Sequence, residues 1–314
     1  MKKWLAAGAI LALLGLILFA AVMTVNQWDF TALSTENFKT SEYEFGEAFR
    51  DILVRLTDAD VIFAPADGEK CRVVVYEREN EPHTVTVSEG TLSVRANDER
   101  KWFHHIGINV GSPKVTVYLP EREYAALTVK GVTCDVRIPS GFRFESAEIS
   151  VTTGKTTVNA SFSDSLKIRT TTGDIAISGI SARGIGLSVS TGDVTLSDVN
   201  CGGNVKITVT TGETEIEGLT CASFASEGST GDITLKHMTA SETVTVERTT
   251  GDVRIIDSDA ASLTIGTTTG DVTGSLRTEK VFLVHTSTGN VTVPASTAGG
   301  SCEITTTTGD IRFD

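Results

Sequence analysis

Apolar and polar residues alternate through the second half of this chain, as in Leu187-Ser188-Val189 and Val194-Thr195-Leu196, and no run keeps a helical period. Period two is the mark of strands with one buried face. The strands flank a recurring Thr/Ser-Gly-acid unit. Its glycines are Gly154, Gly173, Gly192, Gly212, Gly231, Gly251, Gly270, Gly289 and Gly309, at intervals of 19 or 20 residues. Thr133-Cys134-Asp135 falls 20 residues before Gly154 and reads as a tenth, decayed copy. So regular a period predicts one structural unit stacked many times. Two and four residues after the glycine stands one apolar pair: Ile175 and Ile177, Val194 and Leu196, Ile233 and Leu235, Val253 and Ile255, Val291 and Val293. A second pair precedes the next glycine: Leu166 and Ile168, Val205 and Ile207, Val244 and Val246, Leu263 and Ile265. These are the predicted inward columns.

Two architectures fit this pattern: a β-solenoid whose like residues stack coil on coil, or a series of antiparallel hairpins turning at Gly-Asp. The solenoid is favoured, because so short a unit buries its few aliphatics only against copies of itself. Stacking at the strand spacing of ~4.8 Å would make ten coils a rod on the order of 48 Å long. The threonines before each glycine would form a ladder, since Thr favours strands and can hydrogen-bond its own copy. The glycine would supply a corner conformation closed to other residues.

Upstream the pattern changes. Residues 4–25 are uncharged and follow Lys2 and Lys3. That is long enough for one transmembrane helix with a cytoplasmic N-terminus, which places the rest of the chain outside. A cleaved signal peptide is the alternative, but its apolar core runs to about 7–15 residues and ends in a small-x-small site, and no Ala-x-Ala follows Leu18. Residues 26–48 read as an extracellular linker, with Trp28 at the membrane surface, and 49–130 as an irregular β cap. Residues 131–314 are the repeats. The chain stops five residues after Gly309, so its last coil is expected to be an open edge able to self-associate.

A net charge of −13, with no basic stripe, excludes a nucleic-acid partner. The acids after the glycines, Asp174, Asp193, Glu213, Asp232, Asp252, Asp271 and Asp310, would stack in one column, interrupted by Lys155 and Asn290. Neighbours there repel by roughly 1 kcal/mol even in water-like surroundings. Calcium could offset that repulsion, but the Gly-Gly-x-Gly-x-Asp repeat of calcium-binding solenoids is missing. The favoured reading is that each Asp caps its own turn through the backbone. Cys201 and Cys221 both lie nine residues after a repeat glycine and should sit side by side, as small buried hydrophobes or as a disulfide. His104 and His105 beside Trp102 and Phe103 suggest either a carbohydrate-binding lip or a bulky loop closing the cap. No nucleophile elbow, P-loop, dinucleotide fingerprint or Cys/His zinc spacing occurs. No cofactor is implied.

The expected protein is a non-catalytic surface module presenting Thr and Asp to wall polymer, an envelope protein or its own copies. The alternative is a polysaccharide lyase or hydrolase on a β-helix, but the repeats supply Phe162, Phe224 and Phe282 and no Trp or Tyr for a sugar groove. A third reading, envelope sensing, would need a membrane partner for relay.

The Thr-Thr-Gly-Asp-Ile/Val-x-Ile units, the stretch Trp102-Phe103-His104-His105-Ile106-Gly107-Ile108, residues 115–120 and residues 124–130 resemble a bacterial family of candidate adhesins. These are β-strand-repeat domains of unknown function, often behind one membrane helix. The likeness covers 49–314. It implies a right-handed single-chain β-solenoid, association with envelope stress loci and no assigned catalytic residue.

Overall fold

The computed structural model describes residues 2–25, 27–28, 37–97 and 112–314. From Glu123 onward the chain winds as a β-solenoid with three-sided coils. In one coil Gly184–Thr191 forms the long side, Val194–Ser197 the second and Asn200–Cys201 the short third side. Alternation along these strands turns Ile185, Leu187, Val189, Val194, Leu196, Val199 and Cys201 inward, and all are buried. Each buried aliphatic contributes about 1.5–3 kcal/mol, so a coil is stable only between two others that cover it. The first corner turns at Gly192 (φ 140°) and the second at Asp198 (φ 53°). The second corner repeats as Gly179, Asp198, Gly218, His237 and Asp257, all left-handed. Gly, Asp and His are the residues that tolerate that region best.

Successive coils pair in parallel and in register. Ile168 faces Leu187, which faces Ile207, and Thr153, Thr172, Thr191, Thr211, Thr230, Thr250 and Thr269 form the expected ladder. Parallel pairing excludes the hairpin alternative, whose strands would be antiparallel.

Both ends depart from simple winding. In the cap, Asp51–Leu56 is inserted between Thr91–Ala96 and Glu123–Thr133. Asp60–Pro65 lies likewise between Lys114–Leu119 and Val136–Ile138. Antiparallel strands then close this end: Cys71–Arg78 on Lys114–Leu119, Phe38–Phe45 on Cys71–Arg78, and His83–Ser88 on Thr91–Ala96. Phe38–Phe45, inside the segment expected to be linker, is therefore an edge strand of the cap. One column of rings, Phe49, Tyr124, Phe144 and Phe162, joins cap and repeats, with neighbouring centroids 5.8–5.9 Å apart. The tenth copy at Thr133-Cys134-Asp135 is present, and Ala59-Asp60 extends the column one coil further.

At the far end the order of coils is reversed. Gly300–Thr308 pairs on one side with the last part of Val253–Thr269 and on the other with Lys280–Thr288. Ile311–Phe313 lies between Val272–Leu276 and Val291–Thr292. The coil of Gly309 is thus internal and that of Gly289 is terminal, which corrects the expectation of an open edge at Asp314. Val291, expected to point into the core, is 44% exposed for the same reason. A size match accounts for the reversal. Gly274 stands where the coils from Gly173 to Gly251 carry Ile or Leu, and a Cβ there would lie 2.9 Å from the Phe313 ring. Phe313, its partner in register, fills the vacated space and is buried.

A helix spans Lys2–Val25, in the segment expected to be the membrane helix. At 1.5 Å per residue it is about 36 Å long. Its described side chains are residues 8 and 10–25, apart from Met23 all exposed. Among the described residues no helix is long and apolar enough to cross a membrane.

Two glycines should separate register from mere flexibility. Gly231 has φ 126°, and a Cβ there would lie 2.0 Å from the Gly212 carbonyl oxygen, whereas a Cβ on Gly266 meets nothing within 4 Å. Gly231→Ala is expected to cost about 2–4 kcal/mol in urea unfolding. Gly266→Ala should change stability by less than about 0.5 kcal/mol.

Candidate functional site

The glycine-acid corners stand in single file. A Cβ on each of Gly173, Gly192, Gly212, Gly231, Gly251, Gly270, Gly309 and Gly289 would lie 2.0–2.3 Å from the carbonyl oxygen of the corner glycine on the neighbouring coil. Gly154 meets the carbonyl of Cys134 in the same way, at 2.2 Å. The column needs glycine, then, both for its φ and because a neighbouring carbonyl points at its Cα.

That carbonyl orientation leaves the following N–H without a backbone acceptor, and the acid supplies one. The Asp193 N–H donates to Asp174 Oδ1 at 3.1 Å and the Glu213 N–H to Asp193 Oδ1 at 2.8 Å. Asp252, Asp271 and Asp310 donate in turn to Asp232, Asp252 and Asp271, each at 2.8 Å, and Asn290 donates to Asp310 at 2.7 Å. Lys155 donates to Asp135, and Asp135 to Asp60. Each aspartate of the column therefore caps the next coil and not its own turn. Among the described residues no corresponding bond leaves Asp174 or Asp232, whose preceding corners hold Lys155 and Glu213. Lysine has no acceptor, and glutamate is one methylene too long. The flanking amides use ordinary carbonyls: Gly173 N–H to Thr191 O and Ile175 N–H to Asp193 O, both 2.9 Å.

The acids that calcium could have bridged are, Glu213 apart, engaged with backbone amides. Among the described residues no group of three or more His, Cys, Asp or Glu side chains is placed to hold a metal ion.

Cys201 and Cys221 occupy one column with Ala182 and Ala240 on the third side, as free thiols. Burial, with Cys201 alongside, pushes the Cys221 thiol up to about 12, and burial raises Cys201 too. Burial likewise takes Cys71, Cys134 and Cys302 to about 12. Thiols held neutral in this way are poor nucleophiles. His237 is exposed at the second corner, its Nδ1 3.0 Å from Asp257 Oδ2. The lip of Trp102, Phe103, His104 and His105 lies outside the described residues.

Buried charged groups, Glu77 and Arg248 among them, escaped the sequence reading. Glu77 in the cap is fully buried and accepts from Ser41 Oγ at 2.6 Å, the His83 N–H at 2.6 Å and His83 Nδ1 at 2.9 Å. Burial alone would raise its carboxyl, but these donors outweigh that and hold it below the usual range. It fastens three cap strands together. Arg248 is 6% exposed in an inward column that holds Val209 and Val189 two and three coils back. It folds into the space left by Gly228, where a Cβ would lie 2.9 Å from its Nη1. Nη2 donates to Ser226 Oγ at 2.9 Å and Nη1 to the Glu247 carbonyl at 2.9 Å. Burial pulls the guanidinium down to about 10. The signal for it was a glycine and an arginine 20 residues apart in an otherwise apolar or threonine column.

Such a coil, held by glycine and acid at each corner with its thiols and carboxylates absorbed into the scaffold, defines a repeat β-solenoid. The family model Toastrack DUF4097 matches residues 49–217 and 200–314, and the chain belongs to that family. No curated protein matches it. Among solved structures, a candidate lipid-binding protein from Parabacteroides distasonis is similar at 15% identity and TM-score 0.53, covering 77% of this chain and 98% of that one. A candidate adhesin from Bacteroides fragilis is similar at 14% identity and TM-score 0.44, covering 90% of this chain and 99% of that one.

Asp252 offers a direct check on the corner bond. Asp252→Ala removes the acceptor of the Asp271 N–H and should destabilise the chain by about 1–2 kcal/mol, while Asp252→Asn keeps an oxygen in place and should cost less than about 0.5 kcal/mol. Urea unfolding with and without calcium should give the same ranking in both series.

Proposed function

We propose that the chain is a membrane-tethered, extracytoplasmic solenoid that works by binding rather than catalysis, holding wall polymer or an envelope protein in the service of the envelope stress response. The observation that carries this reading is the exposed hydroxyl column of Thr172, Thr191, Thr211, Thr230, Thr250 and Thr269, in register on successive coils. A repeating polymer meets there a row of identical donors and acceptors at about the strand spacing. Among the described residues the thiols are buried and held neutral, and the corner aspartates are bonded to backbone amides, which supports binding over catalysis. The uncharged segment 4–25 behind Lys2 and Lys3 supports a single membrane-crossing helix with its N-terminus in the cytoplasm. The resemblance to domains found near stress loci supports the physiological setting.

The full chain is expected to stay with the membrane after carbonate washing and, in detergent, to co-sediment with purified wall polymer. Exchanging Thr191, Thr211 and Thr230 for Val, which keeps the branched shape and removes the hydroxyls, should reduce that binding at least tenfold without lowering thermal stability. Depolymerisation of an acidic polysaccharide, abolished by Asp232→Ala, would instead establish the enzymatic alternative.

A further inference from the structure

The rod has one end that its own chain leaves unfinished. Among the described residues, Lys280–Thr288 pairs only with Gly300–Thr308, and Val291–Thr292 only with Ile311–Phe313. In the coils before it, the corner glycine N–H and the N–H two residues later donate to the next coil, as Gly270 does to Thr308 and Val272 to Asp310. For Gly289 and Val291 no next coil follows among the described residues. The apolar surface here is equally uncovered: Leu283 is 61% and Val291 44% exposed. Phe282, Val284 and Val293 only partly roof the core. A hollow between Leu276, Phe282, Pro294 and Ala295 opens beside them. The opposite end differs, since antiparallel strands turn over it. Its outer strand Phe38–Phe45 bears Lys39, Glu42 and Glu44, and charges on an edge discourage pairing.

Charge indicates the occupant. The chain carries a net −13, and every other coil from Glu123 onward includes at least one carboxylate. Residues 280–294 have none, and Asn290 takes the corner place that is Asp or Glu on the coils from Asp174 onward. Two copies of so acidic a chain repel at nearly every surface except this one. A strand edge is also complementary to itself, because a two-fold axis places it antiparallel to its mate with donors facing acceptors.

We propose that a second copy of this chain docks on the terminal coil, the two Lys280–Thr288 edges pairing antiparallel about a two-fold axis to form a closed end-to-end dimer. Docking covers Leu283 and Val291 and gives the unpaired amides of the edge their acceptors. It uses the tip of the rod, which holds only the terminal rung Thr288 of the threonine column, so substitutions at Thr191, Thr211 and Thr230 leave it untouched.

Sedimentation of the full chain in non-ionic detergent, over a hundredfold range of protein concentration, tests this. The chain is expected to pass from monomer to dimer and stop there. Leu283→Lys and Val291→Lys both change exposed side chains, and each should weaken dimerisation at least tenfold while circular dichroism and thermal midpoint stay unchanged. Amide exchange across 280–291 should be slow in the dimer and fast in either variant. Monomer at every concentration would overturn the proposal. So would a dimer indifferent to both substitutions, which would locate association in the helix, or mass that grows without limit, which would mean open head-to-tail stacking.

Discussion

Every peptide at the glycine corner must find its partner on the neighbouring coil, and the Thr-Gly-Asp unit meets that need atom by atom. The threonine carbonyl accepts the neighbouring glycine's N–H, and the glycine tolerates a carbonyl aimed at its Cα. The aspartate oxygen then takes the one amide that no carbonyl reaches. An unpaired buried or half-buried amide costs about 1–3 kcal/mol, so a column of such corners accumulates a large preference for this register over any slip. The inward aliphatics add the bulk of the stability, but hydrophobic contact is not directional. The corners decide which residue meets which.

A register this uniform has a drawback: nothing in it says where to stop. The chain answers differently at its two ends. At the start, Asp51–Leu56 and Asp60–Pro65 are tucked inside strands that come later in sequence, and antiparallel strands with charged residues lie over them. At the finish, the last strands return inside the preceding coil, seated by Phe313 against Gly274. Ile311–Phe313 is thus held on both sides, by Val272–Leu276 and by Val291–Thr292.

Much of this was legible in the sequence, because a strand repeat writes its period directly into residue spacing. The inward pairs from Leu166 to Ile265, the threonine ladder and the single file of glycines all lie where spacing put them. The carboxylate column was legible too, but its partner was not. Spacing cannot distinguish an Asp bonded within its turn from one bonded to the next coil, since both leave the same period. The reversed end was hidden for a similar reason: the coils of Gly289 and Gly309 carry the same unit, and the size complement of Gly274 and Phe313 that goes with their order leaves no mark on the period. Phe38–Phe45 was read as linker because its mixed polar composition, Lys39 to Glu44, is that of an exposed edge strand and of a linker alike. Arg248 breaks the apolar rule that guided the reading, and it is intelligible only beside Gly228.

The scaffold absorbs most of the chemistry that the composition offers, and what faces outward is a lattice of hydroxyls and charges at coil spacing. The central claim is that like positions meet in the spatial order Thr250, Thr269, Thr308, Thr288, and paired cysteine substitutions measure it most directly. Adjacent rungs lie about 4.8 Å apart, inside the range a disulfide spans, while two rungs lie near 10 Å, beyond its reach. Oxidation of the full chain should form an intramolecular bond in Thr269→Cys/Thr308→Cys and none in Thr269→Cys/Thr288→Cys. Cross-linking of the second pair and not the first would show that the coils stack in simple sequence order and would contradict the account.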